Sequence, residues 1–164
     1  GAMENGSFIR GYTYKEKDFK NVINIDENTE AWWNDVQSGA AEPHWHKITQ
    51  QSNVKKSDDD RRIEAVKTQI YSTAENTGSM TRPDDSEFNE KNRRTVDENF
   101  YWNDGWQSFI IDEKTEKSTG EKVAVLNDFG TSPYVLTGDE FDKYRILRED
   151  GSIGIVNYDE LSAI

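Results

Sequence analysis

His44 and His46 are the only two histidines in a chain of 164 residues, and a single residue, Trp45, separates them. On a strand both imidazoles would share one face, about 7 Å apart. Two such rings could hold one metal ion, with Glu42 close by in sequence, but a site needs further ligands and the spacing supplies none. The plainer reading is a pair of surface residues on either side of a buried Trp45. Histidine-based proton transfer, if the chain performs any, has to use these two side chains. Asp58-Asp59-Asp60 offers hard oxygens for a divalent cation. The run lacks the alternating ligands and closing Glu of a calcium loop, and acids at a helix start account for it. Asp128-Phe129-Gly130 is similar to the magnesium-binding triplet of kinases. No glycine-rich phosphate loop or His-Arg-Asp triplet accompanies it, so no phosphoryl chemistry follows. Paired carboxylates could hydrolyse a glycoside, but among 32 acids no pair is singled out. These residues assign no catalytic role, no metal site and no cofactor.

Aromatic rings are the stronger signal. The chain has five Trp, seven Tyr and seven Phe. Phe100-Tyr101-Trp102 and Trp106 to Ile111 flank Asn103-Asp104-Gly105, whose Asp-Gly pair suits a tight hairpin turn. On such a hairpin Tyr101 and Trp102 face opposite ways. One of them could then anchor a protein interface or stack on a sugar. Tyr101, Trp102, Asp104 and Trp106 are therefore candidate binding residues. Asp139, Glu140 and Asp142 join them as acids that could steer a partner.

Net charge is −12. Residues 1–96 hold 17 acids and 14 bases, whereas residues 97–164 hold 15 acids and 6 bases, so the C-terminal part carries most of the negative field. Such a surface repels phosphate backbones, which disfavours direct nucleic-acid binding and favours a partner with a basic surface. Solubility alone would also explain the acids. The absence of cysteine excludes disulfides, thiolate zinc sites and thiol catalysis. It suits a reducing cytoplasm, the location expected here, with a bacterial surface or secreted origin as the alternative. No apolar run approaches the roughly 20 residues of a membrane-spanning helix.

Positioning these residues requires elements of both kinds. Gly1-Ala2-Met3 reads as a cloning scar, and residues 4–164 as one domain. Phe8–Tyr14, Asn21–Ile25 and His44–Gln50 read as strands. Asn28 can cap a helix over Thr29–Ser38, with Trp32, Trp33 and Val36 on one face. Ser57 and the three aspartates can open a second helix carrying Ile63, Val66, Ile70 and Ala74, with a strand as the weaker reading. Residues 76–95 read as a mobile polar loop, with a short helix near 87–94. Beyond 96 the chain reads as a small antiparallel sheet, ending in the kind of hairpin that closes SH3-like barrels, with Asp150-Gly151 at its turn. The expected class is α+β, mostly antiparallel β, with a small sheet or partly open SH3-like barrel in the C-terminal half and two or three short helices. Because aliphatic residues are scarce, the core is expected to lean on rings.

The function these features favour is a non-enzymatic acidic protein-interaction domain: an inhibitor, adaptor or anionic mimic. A carbohydrate- or cell-surface-binding module and a small carboxylate-dependent hydrolase are the alternatives.

Overall fold

Residues 3–15, 18–34, 44–56, 61–75, 81–130 and 142–164 are described by a computed structural model, and nearly all of them lie in antiparallel strands. Five long strands open the chain: β1 (Met3–Lys15), β2 (Asp18–Asn34), β3 (His44–Lys56), β4 (Arg62–Glu75) and β5 (Asn89–Asn103). With the short β6 (Ser108–Ile110) they form a six-stranded sheet in sequence order. Then β7 (Asp112–Glu116), β8 (Lys122–Gly130), β9 (Lys143–Arg148), β10 (Ile153–Asn157) and β11 (Leu161–Ala163) form a second sheet, ordered β10-β9-β8-β7-β11. The last strand thus returns to pair with the first of its sheet.

Only Ile111 separates the two sheets along the chain. Its N–H donates to Val125 O at 2.8 Å, while Ile110 behind it still pairs with Tyr101. Alternation then distributes the side chains. Ile110 packs with Ala124, Leu126 and Leu147, against half-buried Tyr101 and Trp106. Ile111 touches two other clusters: Val123, Val125, Ile146, Val156 and Leu161 inside the second sheet, and Ile23, Ile25, Ala65 and Phe100 inside the first.

The mixed α+β class is corrected by this arrangement. Among the described residues the helical structure consists of two single 3-10 turns, Asp85–Glu87 and Tyr158–Glu160. The helix expected over 29–38 is replaced, as far as it is described, by strand through Asn34, in register with β3 from Asn28↔Gln51 to Asn34↔Trp45. Trp32 and Trp33 lie on opposite faces, and each finds cover. Trp32 meets Trp45 and the Arg82 guanidinium, while Trp33 stacks on His46. The helix expected from Ser57 onward is, among the described residues, strand β4 from Arg62, as the weaker strand reading had it. Ala65, Lys67 and Gln69 are buried on one face; Ser72 and Ala74 are buried on the other. Such two-sided burial blurs the period-2 signal. Where a short helix was expected near 87–94 the chain is strand from Asn89, so the last part of the segment expected as a loop is the start of β5, while residues 81–88 stay outside strands with one 3-10 turn.

The ring-dominated core is corrected as well. Among the described residues the buried hydrophobic side chains are mainly Ile, Val, Leu and Ala, and the buried rings are Trp45 and Phe100. Most other described rings are half-buried at the margins, where aromatic area adds to a core already filled by aliphatics.

Candidate functional site

The expected hairpin is present. Tyr101↔Ile110, Trp102↔Phe109 and Asn103↔Ser108 pair across it, and Asn103 Oδ1 accepts from Trp106 N at 3.0 Å to brace the turn. Its four candidate residues do not form one surface. Tyr101 and Trp106 turn inward onto the Ile110–Leu147 cluster. Burial, with Glu113 and Asp112 nearby, holds the Tyr101 hydroxyl above the ordinary tyrosine range. Trp102 turns the other way, packs edge-on against Phe109 and donates from Nε1 to Asp104 Oδ1 at 3.0 Å. Asp104 also accepts from Arg61 Nη2 at 2.9 Å, and these bonds keep its carboxyl below the usual range. Trp102 and Asp104 thus make one group, and Tyr101 and Trp106 another.

Of the steering acids, Asp139 and Glu140 lie outside the described residues. Asp142 is exposed, in the left-handed region at φ 61°; its N–H donates to Gly130 O and its carbonyl accepts from Tyr158 N. These bonds place it beside Asp159 and Glu160, at the far end of β10.

The feature missed in the sequence is the edge position of β10, not the strand. β10 is the outer strand of its sheet, and Ile153 and Ile155 are 53% and 55% exposed. At one end stand exposed Glu149 and Asp150, in the β9–β10 turn; Gly151 takes the φ of +86° that this turn requires. At the other end stand exposed Asp142, Asp159 and Glu160. Ile153 also lines a groove of about 270 Å³ with Ile23, Phe109, Leu126 and Leu147. A neighbouring groove of about 530 Å³ runs between Trp106 and the Glu149–Gly151 turn and shares Leu147 and Gly151 with the first. Trp106, Leu147, Phe109 and Ile153 therefore follow one another along a cleft whose border carries Glu113 and Glu149 together with Lys122 and Arg148. The signal for it was the isoleucine alternation of Ile153-Gly154-Ile155 beside Asp150; what could not be read was that no strand of the described sheet covers its outer side.

A second concentration of chemistry lies inside. A polar cavity of about 260 Å³ is lined by Lys67, Glu98, Gln50, Ser52, Asn127, Asp128 and Arg145, among others. Lys67 Nζ sits 3.3 Å from Glu98 Oε1, with side chains 4% and 6% exposed, and also donates to Asp128 O. Glu98 Oε2 accepts from Asp128 N at 3.1 Å. Burial outweighs Lys67 and raises the Glu98 carboxyl above the usual range. Asp128 Oδ1 accepts from Tyr158 Oη and from Gly130 N, and burial and that carboxylate push the Tyr158 phenol strongly up. Gln69, fully buried, donates to Phe129 O at 2.8 Å. A raised carboxyl beside a second one is the pattern a hydrolase would use. Here, however, both carboxylates are occupied by bonds that tie β8 and the Tyr158 turn to β4 and β5. The cluster acts as a fastener between the two sheets.

His46 does not stand clear on a surface. It stacks between Trp33 and Tyr71, with centroids 5.2 Å and 5.9 Å away, and its Nδ1 lies 2.7 Å from Tyr71 Oη. The His44 side chain and Asp58-Asp59-Asp60 lie outside what is described. No helix among the described residues is long and apolar enough to cross a membrane. No protein-family model, curated protein or solved structure matches the chain.

Proposed function

We propose that the protein is a non-enzymatic, acidic protein-interaction domain that binds a partner through a basic surface. The observation that carries this reading is the coincidence, on β10, of two half-exposed isoleucines with acids at both ends of the strand. An apolar centre inside a charged rim is the usual anatomy of a protein-binding patch. The nearby cations do not cancel that rim. Lys114, Lys122 and Arg148 are engaged by Asp112, Glu113 and Glu116 respectively; Arg145 and Lys143 stand across from Ile155 and Asn157 on β9, and the exposed Glu149, Asp150, Asp142, Asp159 and Glu160 outnumber them. Electrostatic complementarity of this kind accelerates encounter and selects partners by sign. Trp106 and Phe109, at the floor of the adjoining cleft, connect the patch to the hairpin whose rings first suggested binding.

The test is affinity capture from the source cell at low and high salt, with wild type and with Glu149→Lys/Asp159→Lys. The expected result is a basic protein retained at low salt, released at high salt and not captured by the double variant. Capture that ignores both salt and charge reversal would remove the acidic surface from any role in recognition.

A further inference from the structure

The geometry of β10 points to the way a partner would dock, and we infer that a basic, extended segment of another protein adds to the sheet as a further strand along it. This rests on the interaction reading above and specifies its partner. The β9–β10 turn fixes the phase of the ladder: Arg148 N donates to Ser152 O at 2.9 Å, so these two residues form a hydrogen-bonded pair. Bonded and non-bonded pairs alternate along an antiparallel ladder. With Ile153↔Leu147, Gly154↔Ile146, Ile155↔Arg145 and Val156↔Tyr144 in register, Gly154 and Val156 turn their backbone groups to β9. Ile153 and Ile155 turn theirs to the outer edge. The two exposed isoleucines thus offer N–H and C=O to an incoming chain, while Asn157, exposed and next in the same phase, already donates its N–H to Glu160 Oε2 at 2.6 Å.

Main-chain bonds supply affinity in strand addition, and side chains supply selectivity. Here the selectivity is written in charge. Five residues of strand span about 17 Å, with Glu149 and Asp150 before them and Asp159 and Glu160 after. The complement is a short alternating apolar segment with Lys or Arg at each end. Charge also argues against a second copy of this chain as the occupant. Antiparallel pairing of β10 with itself would set the Asp150 end of one copy against the Asp159 end of the other, and like charges facing across strands repel.

The probe is the peptide Lys-Lys-Val-Thr-Val-Thr-Lys-Lys, with two comparators: Glu in place of Lys, and the same sequence N-methylated at both Val amides. Binding is read by calorimetry, and protection of the Ile153 and Ile155 amides by hydrogen exchange. The lysine peptide is expected to bind and to protect both amides, and the glutamate peptide to fail. N-methylation, or Ile155→Pro in the protein, is expected to weaken binding about tenfold or more, the loss that follows from missing backbone bonds. Ile155→Pro removes an outward N–H and spares the ladder to β9; the N-methylated peptide asks the same question of the unaltered protein. Equal binding with and without N-methylation would overturn strand addition while leaving the acidic reading intact. So would no binding of the lysine peptide, or protection of both amides in a homodimer without peptide. Failure of the charge-reversal test would instead remove the acidic surface from recognition.

Discussion

Lys67 and Glu98 show why single side chains decide so much in this molecule. An ion pair this deeply placed offsets its own desolvation only while both members are present. Lys67→Met, which leaves Glu98 buried without its cation, should destabilise the fold by about 3–5 kcal/mol in urea titration, and Lys67→Met/Glu98→Leu should recover most of the loss. The raised Glu98 carboxyl has a consequence in pH. Between the unfolded glutamate value of ~4.3 and its higher folded value, the native chain holds more protons than the unfolded one. The contribution of Glu98 is therefore full below ~4.3 and fades as pH rises through the folded value. Urea midpoints of wild type relative to Glu98→Gln should fall across that window and then level off. Gly130 is a further point of dependence. Its φ is +78°, and a Cβ there would collide with Arg94 Nη1 and Gln69 Oε1. Gly130→Ala should cost about 1–3 kcal/mol by the same titration, through strain and a disturbed fastener.

At the scale of elements, legibility followed the number of buried faces. The two hairpins, Asn103-Asp104-Gly105 and Asp150-Gly151, were readable because their turn residues have a local conformational cause. The strands from Lys122 to Leu126 and Tyr144 to Arg148 were readable from dense β-branched and aliphatic residues. β2 and β4 were not. Trp32 and Trp33 need opposite covers, and Ile63, Val66, Ile70 and Ala74 sit at helical spacing by coincidence, since they fall on both faces of a strand. The start of β5 was hidden by composition. Glu90, Lys91, Asn92 and Arg93 are exposed; pairing of Glu90, Asn92 and Arg93 with β4 around a bulge at Lys91, not burial, makes the segment strand. Of the candidate site, Trp106 and Asp142 were found at the edges of the cleft and patch. Ile153 and Ile155 were read only as strand residues, because exposure depends on which strands are neighbours. The fully buried Ile146, at the centre of the second sheet's core, gives a direct test of this element. Ile146→Ala should destabilise by about 2–5 kcal/mol and leave the β9–β10 turn in place, as read by chemical denaturation and by NMR shifts of Gly151 and Ser152.

The molecule as a whole is joined at a point, not by a linker. Phe109 leans on the Ile23–Phe100 cluster, Ile110 sits in the Leu126–Leu147 cluster, and Ile111 touches the cores of both sheets. Three consecutive residues thus belong to every hydrophobic unit described. No cut along this stretch would release a piece with a finished interior, since division on either side of Ile111 strips apolar partners from both products. Denaturation should therefore appear as one transition, with Trp fluorescence and far-ultraviolet dichroism giving the same midpoint. Neither sheet could be borrowed as a module: grafted alone onto another protein, each would carry an open wound where the other had been.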